Sequence, residues 1–265
     1  MDTSSTRLLS KIFIIIGSFL FLSNLVGFFY YTSINDKHPQ VLDDTPRKVS
    51  EQEFWRKAYK EKHEDTEEYV KRLTILISDR MLLINPKYTI PTFFENYILW
   101  FFSKYLNYYE WRNTKKAIRS GGGFCSQHAI ILNNILREQG IKSRIIGLTG
   151  HVLNEVLIGK KWKVYDPDYG LAFGMSLKEL EADPAKVYKV YKDTGFTTEE
   201  AIHWQNIFST DIDNWSYPTS ANYAEKGYLI YITEIISFFL IWIIPIFLFF
   251  LGILINRYQL TRRHH

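Results

Sequence analysis

Residues 121–140 read GGGFCSQHAIILNNILREQG, and their reading decides the fold. Three glycines allow left-handed or closely approaching backbone. They run into Cys125, the single cysteine of the 265-residue chain. Ala129, Leu132, Ile135 and Leu136 then recur at the spacing of a helix with one buried face. Arg137 suits the negative end of the helix dipole, and Gly140 stands at the C′ stop. The cysteine therefore opens a helix. A thiol there feels the positive end of the macrodipole and unpaired N–H groups, and both favour thiolate. The same N–H groups can hold a developing oxyanion. The spacing predicts a nucleophile; the plain alternative is a small buried hydrophobe.

A nucleophile needs a base, and the base an orienter. After Gly140 the period changes, and 143–148 (SRIIGL), 151–158 (HVLNEVLI) and 161–166 (KWKVYD) read as strands. Gly159-Lys160 is a tight-turn signal. A loop of those two residues pairs Ile158 with Lys161 and puts His151 opposite Asp168 and Leu153 opposite Asp166. His151, Asp166 and Asp168 then share one face of the sheet, and His151 and Asp166 are diagonal neighbours. Taken singly, a strand-start His is a surface residue and an Asp before Pro is a turn signal. The ordered set of helix-start Cys, strand His and strand-end Asp points to acyl-transfer chemistry. His128, one turn after Cys125, is read as a helix-surface residue that could line the site. Asp168 is a second acid beside it.

Outside this region the apolar residues gather at the two ends. Residues 12–31 (IFIIIGSFLFLSNLVGFFYY) and 235–255 (IISFFLIWIIPIFLFFLGILI) carry no charge and are long enough to cross a bilayer as helices. Pro245 and Gly252 are tolerable in such a helix. The rival for the first run is a cleaved signal peptide. Its length, and an exit (GFFYYTSIND) without a small-x-small cleavage site, favour a retained anchor. Arg7, Lys11, Arg257, Arg262 and Arg263 flank the outer ends, against Lys37 and Lys226 at the inner ends, so both termini are expected in the cytoplasm. The expected order is a cytoplasmic N-terminus (1–11), a first span (12–31), a linker (32–50), an exported domain (51–227), a second span (235–255) and a basic cytoplasmic tail (256–265). The membrane is the inner or plasma membrane, and the domain is periplasmic or extracellular.

Within the exported part, 51–79 carries apolar and aromatic residues at helical spacing, opened by a Ser50/Glu53 capping box. Residues 92–109 (TFFENYILWFFSKYLNYY) are very aromatic. They suit either a helix at the membrane surface or a core helix packed on the domain, and the weak basic face favours the core helix. Ser176/Glu179 and Thr197/Glu200 are capping boxes that predict two short helices. Residues 209–227 read as polar and turn-rich. The fold class is α+β: helices first, then a small antiparallel sheet. A net charge of +4 without a dense basic block argues against nucleic acid. One cysteine excludes an internal disulfide or a Cys-rich zinc site, the histidines show no metal-ligand spacing, and no cofactor is expected.

The motifs G-x-C-x-x-x-A (Gly123, Cys125, Ala129), LREQGIKSRIIG (with Gly140, Arg144 and Gly147), GHVLNEV (with His151 and Glu155) and W-x-x-x-D-P (Trp162, Asp166, Pro167) resemble the core of the transglutaminase-like superfamily, a branch of the papain-like cysteine enzymes. The resemblance covers about residues 120–170. It implies a helix carrying the cysteine packed on a small antiparallel sheet, here between two transmembrane helices. It implies Cys125 as nucleophile, His151 as base and then acid, and Asp166 as its orienter, acting on a peptide or other amide. It also implies an upstream aromatic or polar side chain at the oxyanion, for which Trp111 and Trp100 are candidates by type. The competing expectation is a non-catalytic subunit of a cell-envelope complex, such as a polysaccharide or export assembly, with envelope proteins as partners.

Overall fold

The computed structural model describes residues 3–29, 48–106, 109–209, 214–224 and 226–263. The chain divides into two compact units. One gathers Met1–Thr32, Ile90–Tyr109 and Tyr231–His265; the other gathers Ser33–Thr89 and Glu110–Ile230.

The first unit is built on two long apolar helices, α1 (Thr3–Phe29) and, at the far end of the chain, a helix over Gly227–Arg263 with Pro245 inside it. Their most apolar windows are only 22% and 17% buried. A core helix of a water-soluble protein hides its apolar surface, whereas these leave it outside, as a lipid-facing helix does. They pack through small and polar residues. Ser10 Oγ donates to the Gly252 carbonyl at 2.7 Å, and Asn24 donates to the Ile241 carbonyl. A Cβ on Gly17 would press into the backbone of Pro245 and Phe249. Close approach at glycine with interhelical hydrogen bonds is how helices associate without a hydrophobic driving force. The linker expected over 32–50 lies outside the described residues except for its last three.

The second unit is α+β. The helical region expected over 51–79 is two helices, α2 (Glu51–Lys57) and α3 (Thr66–Arg80). Asp65 interrupts it by accepting from the N–H groups of Glu67 and Glu68, which makes it a new N-cap. A two-residue parallel pair, β1 (Leu82–Leu83) with β2 (Gly122–Gly123), flanks the short helix α5 (Thr114–Ser120), which follows in sequence on α4 (Tyr97–Leu106) of the first unit. Then come α6 (Cys125–Glu138) and the antiparallel meander β3 (Ser143–Leu148), β4 (His151–Ile158) and β5 (Lys161–Asp166). The β4–β5 register is Ile158↔Lys161 through Asn154↔Tyr165, as the Gly159-Lys160 turn predicts. After β6 (Leu171–Ala172) come α7 (Leu177–Ala182), α8 (Ala185–Asp193) and α9 (Thr198–Ser209). A strand β7 (Trp215–Tyr217) adds to β3, and the terminal apolar helix is α10. The sheet order is β6-β5-β4-β3-β7.

Two of these elements differ from expectation. Helix α8 makes three short helices after the sheet where two were expected. Segment 209–227 contains a strand, and Gly147 of β3 admits it, because a Cβ there would land on the Trp215 ring. The capping boxes at Ser176/Glu179 and Thr197/Glu200 are formed. Central β4 is buried on both faces. Val152 and Ile145 pack with Cys125, Ala129 and Ile130 of α6. Leu153, Ile146 and Val164 pack with Leu180, Val187, Tyr191 and Phe208 from α7–α9. Burial on both sides explains why apolar residues stand side by side in β4, as in Val152-Leu153 and Val156-Leu157, rather than alternating with polar ones.

Candidate active site

Helix α6 begins at Cys125 because Phe124 is extended (φ −83°, ψ 173°), and no side chain caps its first turn. Gly123 is needed just before it, since a Cβ would overlap the side chain of Gln127. Gln127 is buried and ties the first turn to the loop before α5. It accepts from the Trp111 N–H at 2.7 Å and donates to the Trp111 carbonyl at 2.9 Å. The thiol is thus placed at the positive end of a 14-residue helix, where the Gln127 and His128 N–H groups bond the Phe124 carbonyl and those of Cys125 and Ser126 have no acceptor within the helix.

Four residues fix the imidazole facing it. His151 Nε2 is 2.8 Å from Asp166 Oδ2, and the Cys125 thiol is a close neighbour of the ring. With Nε2 on the carboxylate, Nδ1 is the nitrogen left for the thiol. Tyr191 of α8 donates to the same Asp166 oxygen at 2.7 Å, and the Asp168 N–H donates to the other at 3.1 Å. Trp204 of α9 lies over the ring with centroids 4.7 Å apart, and Tyr169 at 5.9 Å. Cys125, His151 and Asp166 are 8%, 2% and 0% exposed.

Burial acts against a charged His151, but the Asp166 carboxylate, its hydrogen bond and the neighbouring thiol outweigh it. The imidazole is therefore held well above the usual histidine range. Burial acts against a charged Asp166 as well. The His151 charge, with the His151 and Tyr191 hydrogen bonds, overcomes it and holds the carboxyl below its ordinary value. Burial and the adjacent carboxylate push Tyr191 far up, so it stays a neutral donor. The pair is an imidazolium–carboxylate held in a dry setting.

The remaining sequence candidates fall around this centre. Asp168 and His128 form a second buried pair, with Nδ1 and Oδ1 2.8 Å apart and side chains 1% and 3% exposed. The atoms meet without hydrogen-bond alignment. The expectation of a surface role for His128 is corrected here: its face of α6 lies under the sheet-end loop that carries Asp168. Trp111 is beside the first turn of α6, joined to it through its backbone. Trp100 belongs to α4 in the other unit, where Lys104 sits 3.5 Å over its ring.

Sequence reasoning missed several neighbours. Tyr191 sits on α8 as an ordinary apolar repeat, and only tertiary contact reveals its hydroxyl. Glu110 is buried, accepts from Ser126 Oγ, and has Arg112 Nη1 3.7 Å from its carboxylate. Burial pushes its carboxyl up against the pull of Arg112 and Ser126. Tyr217 of β7 and Tyr223 pack over the cysteine cluster, and Arg112 lies over the Tyr223 ring at 5.7 Å. A cavity of about 770 Å³ adjoins the histidine side, where Asp168, Tyr169, Phe196, Glu199 and Trp204 form part of its wall. Among the described residues no group of three or more His, Cys, Asp or Glu is placed to hold a metal ion.

No family model, no curated protein and no solved structure matches this chain. Fold and site define a class directly: an α+β domain, flanked by two apolar helices of membrane-spanning length, with a buried Cys–His–Asp cluster.

Proposed function

We propose that this chain is a membrane-anchored cysteine enzyme of the transglutaminase-like type, acting on amides on the outer side of the membrane. The observation that carries the reading is the His151 ring, bonded to the Asp166 carboxylate and neighbouring the Cys125 thiol at the start of α6. In the mechanism His151 holds the thiol proton as an imidazolium, and the Cys125 sulfur, as thiolate, attacks an amide carbonyl to form a C–S bond. The oxyanion is stabilised by N–H groups at the α6 terminus. His151 protonates the departing nitrogen as the C–N bond breaks, leaving a thioester on Cys125. Water or an amine then attacks, His151 takes its proton, and the C–S bond breaks. Asp166 holds the ring in the productive tautomer and balances its charge through each transfer. The contacts of Ser10 and Gly17 with α10 support a retained first helix, and the basic flanks support cytoplasmic termini.

A second reading, a non-catalytic scaffold in an envelope complex, draws on one observation: Cys125 is only 8% exposed, in a cluster against which Tyr217 and Tyr223 pack. Mass spectrometry separates the two. The protein in lipid nanodiscs is incubated with a mixture of glutamine- and peptide-amide substrates and quenched in acid. The enzyme reading expects a hydroxylamine-labile acyl adduct on Cys125, lost in His151→Ala. Absence of any adduct or amide turnover contradicts it and leaves the scaffold.

A further inference from the structure

Residues 90–106 are a poor fit to the domain in which their place in the sequence puts them. They fold with α1 and α10, not with the sheet. The joins are specific. A Cβ on Gly27 of α1 would land on the Phe94 carbonyl. The Phe93 ring lies 6.1 Å from that of Phe19. Asn96 Nδ2 donates to Ser237 Oγ at 3.0 Å, while its Oδ1 caps the N–H groups of Ile98 and Leu99 at 3.1 and 3.0 Å. The Tyr97 hydroxyl reaches the Leu240 and Ile241 carbonyls at 3.4 and 3.5 Å. Phe19, Gly27, Ser237, Leu240 and Ile241 all lie inside the two uncharged runs, at bilayer depth if those runs span. The core-helix expectation for 92–109 is corrected by these contacts.

Helix α4 is also inverted relative to a water-exposed helix. Leu99 and Ser103 are buried, and its exposed residues are Phe101 (58%), Lys104 and Tyr105 (72%), continuing from Phe94 (48%). Its charges are managed. Glu95 accepts from the Thr92 N–H in a cap at 2.7 Å, and the Lys104 ammonium rests on Trp100. Ten residues of helix reach about 15 Å, half a hydrocarbon core, so the element cannot cross. Like α1 and α10 it leaves large apolar side chains exposed, its ends carry Tyr97 and Tyr105, and it has little basic charge to attract anionic headgroups.

We propose that residues 92–106 form a third membrane element, a non-spanning interfacial segment with Phe94, Phe101 and Tyr105 inserted among lipid acyl chains. The partner is the bilayer itself, held by apolar insertion rather than by anionic lipid. This rests on the membrane reading of α1 and α10, and the test separates the two. In a Cys125→Ser background, single cysteines at Phe101, Tyr105, Phe239 and Lys161 are labelled with an environment-sensitive fluorophore. The proteins are placed in phosphatidylcholine nanodiscs with and without lipid carrying a spin label near the headgroup end of its acyl chain. The expected result is blue-shifted emission and quenching at 101 and 105 comparable to that at Phe239, with neither at Lys161. Quenching at Phe239 alone overturns the interfacial segment and keeps the spans; its absence at Phe239 as well overturns both. Photolabelling of the unsubstituted protein with a lipid-phase diazirine gives a second readout. Adducts within 92–106 support the insertion, and adducts confined to α1 and α10 contradict it.

Discussion

Asp166 accepts from a ring nitrogen, a phenol and a backbone N–H at once. Removing any one donor leaves a buried carboxylate short of a partner. Tyr191→Phe is expected to cost about 1.5–3 kcal/mol, the range for a hydrogen bond to a charged group, measured as a drop in thermal stability in detergent. The pair also sets a pH signature. His151 is raised, so its contribution is fully present below about 6.5 and is lost as pH rises through the raised folded value. Asp166 is lowered, so its contribution is present above about 3.9 and is lost as pH falls through the lowered value. The stability gap between wild type and Asp166→Asn is therefore expected to be widest from weakly acidic to neutral pH, and to narrow at alkaline and strongly acidic pH. A gap constant with pH contradicts the ion pair. At this scale the sequence was informative where local patterns carried the signal. The glycines and the lone cysteine marked the start of α6, and the two-residue turn fixed the β4–β5 register. Tyr191, Glu110 and Tyr223 carried none, because each joins the site from a segment remote in sequence.

At the scale of elements, the motif residues that suggested an enzyme also brace the fold. Arg144 Nε and Nη2 lie 2.9 and 2.5 Å from Glu155 Oε2, and its guanidinium stacks over Trp162 at 4.6 Å. The other Glu155 oxygen accepts from the Leu177 N–H at the start of α7 at 2.8 Å. The Arg144–Glu155 pair thus joins β3, β4, β5 and α7. Arg144 is 37% exposed, so the cation that Glu155→Ala leaves behind is partly solvated, and a loss of about 1–3 kcal/mol is expected from denaturant titration. The packing of Tyr217 and Tyr223 against the Cys125 cluster is a separate device. Tyr223→Ala is expected to speed alkylation of Cys125 several-fold, in keeping with reactivity set by access as well as by thiolate character. An unchanged rate means the ring is not the barrier. Strand β7 and helix α8 were hidden from sequence reading by their length: three residues and nine residues give too little periodicity to stand out.

At the scale of the whole molecule, the two apolar runs were the most legible feature, since an uncharged stretch of bilayer length needs no tertiary knowledge. Their pairing through Ser10, Gly17 and Asn24 was not, nor was the recruitment of residues 90–106 to them. That depends on which surface a short aromatic helix finds, and its composition fits either choice. The topology predicts that a membrane-impermeant maleimide labels a cysteine placed at Lys161 in intact cells, whereas one placed at His265 is labelled only after permeabilisation. The reverse pattern contradicts cytoplasmic termini.

The central claim is a working Cys125–His151 pair, and alkylation tests it most directly. Iodoacetamide labelling of the membrane-embedded protein is followed from pH 5 to 9, wild type beside His151→Ala. The account predicts labelling of wild type that persists at pH 6 and falls about tenfold or more in the variant. Native protein that resists labelling across the range, yet reacts fully once unfolded, contradicts it.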